Sequence, residues 1–387
     1  MKAMALGWDT HRKFSQVSVY RVADDGEIRV MERKRLEHGE PEQMRQWLKP
    51  LAGTPVAMEA TFGWPWIADL LEDLGLEPHL AHPPAVRVLA KHEAKADRCD
   101  SDRLGRFYVQ GILPESYLAP PEVRQLRERL RYRMALVAVR TGIKNRVHAT
   151  LHRLGILHPF SDLFGEKGRD FLQDAALPEA SRAVLTGWLN LLDQVSGEVE
   201  RVEEWMHSHL QADPLVQLLE TIPGIGPVLA HVIQAEIGQI ERFPDYRHLT
   251  SYAGLAPLSN DSADRHGRRH CSPACNHTLR WAFIEAAGGA VRSRHSEGTH
   301  LRRLYQRLSR HQQLKNTAKV AVARELAKLV YIIWKKKRPY LADPPARPGQ
   351  DRAAQLQEPS STSLRSDQPR HPMVRRSQKA AARPIRN

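Results

Sequence analysis

The sequence predicts an α/β layer at the N-terminus, then a long charged helical arm, then a mainly helical C-terminal region. Three observations carry this reading. From Ala3 to about Gln110, short apolar runs alternate with helical periodicity, the signature of helices packed on a sheet. Two consecutive prolines, Pro120 and Pro121, then open a long charged stretch with little strand propensity. Further on, the phrase TIPGIGPVLAHVI reads as a helix, a Gly-rich turn and a second helix.

The elements follow in order. Met4 to Trp8 is a short apolar strand ending at Asp9, and Phe14 to Val22 is a second strand carrying Phe14, Val17, Val19 and Val22. Asp25-Gly26 reads as a hairpin turn into a third strand, Glu27 to Arg33. Pro41 to Leu48 is expected to be helical, Pro55 to Glu59 a buried strand, and Trp64 to Leu74 a helix with Leu70, Leu71 and Leu74 on one face. Leu76 to His82 returns as a strand, stopped by Pro83 and Pro84, and a helix starts near Lys95. The arm pairs Glu122 to Arg153 with Glu179 to Leu210, joined by a connection from Gly155 to Leu177. Leu126, Leu130, Met134 and Val137 keep an apolar stripe on its first helix, which carries nine Arg/Lys against two Glu. A mixed segment rich in His and Arg reaches about Arg280, and helices at Leu279 to Arg292, Thr299 to Leu308 and Ala318 to Lys336 close the fold. Residues 341–387 hold seven Pro and nine Arg/Lys against four acids with no aromatic, the composition of a disordered basic tail. The expected boundaries are 1–115, 116–212, 213–340 and 341–387.

Composition narrows the function classes. The 387 residues carry 58 Lys+Arg against 44 Asp+Glu, a net charge of +14, which points to a polyanionic partner. A hydrophobic share of 41% lets each of two or three domains bury a core. The apolar run Leu329 to Trp334 is far shorter than the ~20 residues of a spanning helix, so no membrane role is expected. The first residues do not read as a signal peptide, and Cys99, Cys271 and Cys275 cannot build a disulfide framework, in keeping with a reducing cytoplasm.

The acids carry the sharpest signal. Asp9 and Glu59 sit at predicted strand ends, where sites of open sheets form, and Asp97 and Asp100 share one helix face at i, i+3 spacing. Taken singly, each is an ordinary surface residue or cap. Together they have the order of a ribonuclease H-like layer, and four converging carboxylates repel one another unless divalent cations lie between them. Oxygen-rich sites of this kind suit magnesium or manganese, which bind phosphate oxygens and stabilise displacement at phosphorus.

GWDTHRKFSQVSVY, VAMEATFGWPWIADLLEDLGLEPHLAHP and KHEAKADRCDSDRL resemble the Asp-Glu-Asp-Asp layer of transposases of the insertion sequence 110 family, itself similar to the junction resolvase RuvC. The family's acidic quartet falls on Asp9, Glu59, Asp97 and Asp100, with Asp102 a bystander. A second block, residues 221–280, resembles the transposase domain of the same family, with a helix-hairpin-helix-like turn. Gly224 and Gly226 would there present backbone N–H groups to phosphate, or simply form a tight interhelical turn. In the family a nucleophilic serine follows a GLxP phrase; after Gly254-Leu255-Ala256-Pro257 the matching place is Ser262, with Ser259 as fallback. The glycine expected next is Ala263, a departure in a loop where positive φ would suit only glycine. Arg265, Arg268 and Arg269 are near enough in sequence to hold the phosphate. Cys271 and Cys275 with His270 and His277 do not make a zinc site, for want of a second separated pair. The Trp64-Pro65-Trp66 cluster is read as core or helix-start packing rather than a base-stacking platform.

The resemblance implies a site-specific DNA recombinase that mobilises an insertion sequence through a covalent phosphoserine link. It also implies DNA partners (element ends and target), a structured bridge RNA encoded by the element, tetrameric assembly, and action in the bacterial cytoplasm at the nucleoid. Arg127, Arg131 and Lys144 on the arm are the candidate phosphate contacts. A metal-dependent resolvase that cuts by water attack needs the acids and no serine. A nucleic-acid scaffold without catalysis needs neither, and four intact acids argue against it.

Overall fold

The computed structural model of the chain describes residues 5–22, 27–90, 97–210, 213–258, 261–262, 265–266, 270–271, 274–293, 299–310 and 315–341. The Asp25-Gly26 turn, Ser259, Arg268, Arg269 and the basic tail lie outside the described residues.

Strands β1 (Ala5–Thr10), β2 (Phe14–Val22) and β3 (Ile28–Glu37) form an antiparallel meander. On its other side β1 pairs in parallel with β4 (Pro55–Glu59), which pairs in parallel with β5 (Glu77–Ala81), giving the order β3-β2-β1-β4-β5. Parallel neighbours need crossovers, here α1 (Pro41–Leu48) before β4 and α2 (Trp64–Asp73) before β5. Strand alternation sorts the two faces. Leu6, Trp8, Val17, Val56 and Met58 point to the face covered by Met44, Leu48, Ile67 and Leu71 of α1 and α2.

The opposite face carries Gly7, Ala57 and Ala81. After β5 come α3 (Pro83–Leu89) and α4 (Asp97–Val109), and α4 lies on this face through Leu104 and Phe107. The prolines expected only to stop β5 also start α3, because a fixed φ and a missing N–H cost nothing in a first helical turn. Small residues set how close α4 comes. A Cβ on Gly7 would fall 1.8 Å from the Ser101 carbonyl oxygen, and one on Gly105 would fall 2.4 Å from the Tyr20 ring. Gly105→Ala is therefore expected to push α4 off the sheet and cost about 1–3 kcal/mol, as overpacking does, read as a lowered midpoint in thermal unfolding.

The next helices are α5 (Pro121–Arg153), α6 (Glu166–Asp174) and α7 (Glu179–His209). α7 buries Leu185, Leu192, Val199 and Met206, a seven-residue spacing that keeps one seam against α5. Val147 and Leu151 of α5 meet Leu185 of α7 at one end, whereas Leu130 and Met206 meet at the other, so the helices run antiparallel. α6 falls within the stretch expected to be a plain connection; Leu163 and Leu172 complete the small core at that end.

The C-terminal helices are α8 (Pro214–Glu220), α9 (Pro227–Ile237), α10 (Tyr246–Tyr252), α11 (His277–Arg292), α12 (His300–Leu308) and α13 (Lys315–Lys336). They share a core built on Leu219, Ile233, Leu249, Phe283, Leu326 and Val330. α10 and four two-residue strands lie in the segment read as mixed: β6 (Pro257–Leu258), β7 (Asp261–Ser262), β8 (Arg265–His266) and β9 (His270–Cys271). β6 pairs with β9 and β7 with β8, both antiparallel. Two-residue ladders leave no periodicity for sequence reasoning to find.

Candidate nucleic-acid processing site

Asp9 and Glu59 come together because of register. Trp8 of β1 is paired with Met58 of the parallel β4, and the next residue on each strand is an acid. Alternation puts Asp9 with Gly7 and Glu59 with Ala57, so both carboxylates are on the face that α4 covers. Asp100 stands on α4, where its Oδ1 accepts from Arg103 at 2.5 Å. Asp97 is the first residue of α4, one helical turn before Asp100, and its side chain lies outside the described part of the structure.

Glu59 records the convergence electrostatically. Burial raises its pKa first, and the charges of Asp9 and Asp100 raise it further, against lowering by Arg87 and Arg103. Asp9 is nearly buried, with His11 Nε2 3.1 Å from its Oδ2 but without hydrogen-bond geometry. Three buried polar atoms beside these acids, Thr10 Oγ1, His11 Nε2 and Thr61 Oγ1, have no hydrogen-bond partner. Crowded carboxylates, one of them disfavouring its own ionised form, together with orphaned polar atoms suit a hard divalent cation with oxygen ligands and water. Among the described residues, no cluster of three or more ligating side chains is preformed.

Asp102 has a different task. Arg33 grips its carboxylate through Nε at 3.1 Å and Nη2 at 2.7 Å, and Ser18 donates to Oδ1 at 2.5 Å. The Tyr20 hydroxyl donates to the Asp102 carbonyl, and Ser18 and Ser101 hydroxyls meet at 2.8 Å. This network pins α4 to β2 and β3 and so sets the height of Asp100 over the strand ends. Sequence reasoning missed Gly7, Gly105, Ser18 and Arg33; the small-residue positions facing α4 were the available signal. It also missed Phe62, 92% exposed on the turn directly after Glu59. Trp64 packs on the sheet core as expected, while Trp66 is partly exposed with its ring edge-on to His38.

In the serine segment β7 and β8 pair antiparallel at the backbone level. Ser262 is paired with Arg265 across β7 and β8, and Asp261 with His266. Cys275 is a free thiol with its sulfur 3.9 Å from His277 Nδ1.

The predicted phosphate contacts divide. Arg127 donates to the carbonyls of Ala235 at 2.7 Å and Glu236 at 3.1 Å, satisfying the last carbonyls of α9. Arg131 makes a bidentate pair with the Glu236 carboxylate at 2.8 and 2.9 Å. Arg127 is thus engaged inside the fold, whereas Arg131 is half exposed while held by Glu236. Lys144 Nζ stands 4.7 Å over the Phe164 ring. Gly224 has φ +89°, and a Cβ there would fall 2.2 Å from the Ala286 carbonyl oxygen, so its first role is the close approach of the turn to α11. Gly226, the N-cap of α9, faces open space.

Strand-end acids on a basic, helix-rich chain are equipment for processing a nucleic acid, and comparison with known proteins makes the class a transposase. A transposase domain model named for the Asp-Glu-Asp-Asp quartet matches residues 6–156, and the model of the transposase IS116/IS110/IS902 family matches residues 216–306. The chain is 25% identical to the transposase for insertion sequence element IS1328 of Yersinia enterocolitica, over 75% of this chain and 86% of the relative. It is 29% identical to the uncharacterized 44.8 kDa protein of insertion element IS116 of Streptomyces clavuligerus, over 69% and 68%. It is 24% identical to the transposase for IS1111A of Coxiella burnetii, over 74% and 79%. The chain belongs to the IS110 family of transposases, DNA-processing enzymes that carry out transposition. The matched quartet domain points to a divalent metal requirement. No helix among the described residues is long and apolar enough to cross a membrane.

Proposed function

We propose that this transposase is a DNA recombinase that cuts and rejoins strands through a covalent link to Ser262, with magnesium or manganese at Asp9, Glu59, Asp97 and Asp100. The observation that carries it is the register that sets Asp9 and Glu59 side by side on neighbouring parallel strands, on the face covered by α4, the helix that carries Asp97 and Asp100. The antiparallel-then-parallel sheet order supports a RuvC-like assignment for residues 1–115, with the arm over 116–212 and the serine-bearing domain over 213–340. A divalent ion held by the four acids would neutralise charge on the phosphate and favour ionisation of the attacking hydroxyl. The Ser262 hydroxyl loses its proton as the Oγ–P bond forms, the P–O bond to the departing sugar oxygen breaks, and that oxygen takes up a proton. Arg265, paired with Ser262 in register, and Arg268 and Arg269 beside it supply cations for the phosphate. Guidance by an RNA from the element and assembly as a tetramer belong to the same reading, with the acids of one subunit meeting the serine of another. The test is to incubate protein, RNA, DNA and magnesium, denature, and look for protein attached to a strand end. Cleavage without attached protein would instead favour the resolvase that uses water.

The arm is the proposed binding surface for structured RNA or DNA, through Lys144 and its exposed arginines. Replacing Lys144 and Arg146 with Gln is expected to weaken binding similarly across sequences and to flatten the plot of log affinity against log salt by about 1–2 units. An unchanged slope in a filter-binding titration would leave the arm a spacer.

A further inference from the structure

We infer that Glu236 is a positioning residue that fastens the neck of the Ser262 segment to the root of the arm. The inference rests on the serine reading above. Glu236 is 1% exposed near the end of α9, and both its oxygens are used. Arg131 of the arm donates to Oε1 at 2.8 Å and to Oε2 at 2.9 Å, and Asn276 Nδ2 donates to Oε2 at 2.8 Å. Asn276 also donates through Nδ2 to the Tyr252 hydroxyl at 3.1 Å and through its backbone N–H to the Tyr252 carbonyl at 2.8 Å. Its Oδ1 accepts from the Leu279 N–H at 2.9 Å, capping α11.

Tyr252 ends α10 and Asn276 precedes α11, so they bracket the whole segment that carries Ser262. Tyr252 and Asn276 meet backbone to backbone and form one neck for that segment, and the neck and the arm share a single buried carboxylate. Stability alone does not call for this arrangement, because a buried ion pair is commonly no more stable than well-packed apolar side chains. What a carboxylate adds is direction: its two oxygens fix the angle between Arg131 on α5 and Asn276 at the neck. Nucleic acid held along the arm and the serine are thereby kept in one geometry.

Glu236→Gln removes one acceptor and sets an NH2 group against donors, and Asn276→Asp sets two carboxylates face to face. Each single variant is expected to lower the rate of protein–DNA adduct formation at least about tenfold while DNA affinity stays within about twofold. The pair Glu236→Gln with Asn276→Asp restores donor to acceptor at the neck and keeps the net charge, but it still sets an N–H against Arg131 Nη2, so it is expected to recover part of the adduct, at least about threefold above either single. Arg131→Gln should lose adduct like the other singles without changing the salt slope of DNA binding; a slope reduced by about 1 would make Arg131 a phosphate contact and overturn the link to the arm. Singles that form adduct like the parent, or a double variant no better than the singles, would overturn the clamp. Trypsin nicking within residues 258–273 gives a readout free of the serine chemistry, expected to rise in both singles and fall back in the double. If the parent forms no serine-linked DNA, the serine reading fails, and the nicking pattern still decides the clamp: no difference between parent and singles overturns it.

Discussion

Replacing Ser262 with alanine is expected to abolish protein-linked DNA and to lower recombination on the order of 10³-fold or more, because the bond-forming atom is gone. Cysteine at the same place should keep a trace of activity. The DNA-linked peptide from the parent, mapped after protease digestion, should carry its phosphodiester on Ser262. A link at Ser259 would move the nucleophile, and cleavage with no link would remove it. Since the acids and the serine stand in different parts of the chain, mixing Ser262→Ala protein with Asp97→Ala protein should restore part of the activity through hybrid sites. Failure of the mixture, with each parent-like arm active, would place both halves of the site in one subunit.

Replacing Glu59 with glutamine is expected to be as damaging to recombination, but it also has a readout without DNA. Burial, then Asp9 and Asp100, hold the Glu59 carboxyl above its ordinary range. A carboxyl whose folded pKa is raised stabilises the native state while it is protonated, and that contribution is lost as the pH rises through the folded value. A divalent ion reverses the sign by binding the ionised form, and it must displace the proton to do so. Magnesium or manganese should therefore raise the thermal midpoint more at pH 8 than at pH 5.5, with about 2.7 kcal/mol of stabilisation at a hundredfold excess over Kd. Glu59→Gln should stabilise the metal-free protein at pH 8 and remove most of the metal response. A metal-induced shift equal in the variant and the parent would take Glu59 out of the ion site.

Much of the acid layer was legible because strands impose a period of two and parallel neighbours run in register. Glu59 ends β4 and Asp9 stands one residue before the end of β1, and Gly7 and Ala57 two residues earlier mark the same face as the one a helix can approach. The long helices were legible for a similar reason, since heptad spacing such as Leu185, Leu192, Val199 and Met206 repeats over many turns. The phrase after Gly254-Leu255-Ala256-Pro257 led to Ser262 through family likeness and not through any local physical pattern.

What only the tertiary structure decided are the partners of polar side chains distant in sequence. Arg127 and Arg131 look from their own helix like free phosphate contacts, yet Glu236, more than a hundred residues away, takes them both. Asp102 is set aside from the quartet by the family likeness, and its own task shows only when Arg33 and Ser18 close on it. Gly224 reads by sequence as a phosphate-binding or a tight interhelical turn, and only the packed structure shows how closely that turn approaches α11. Periodicity comes from local backbone geometry, so a single sequence displays it. The choice of partner by a guanidinium or a carboxylate depends on which surfaces the folded chain brings within hydrogen-bond reach, and burial then makes an unpaired charge too costly to leave.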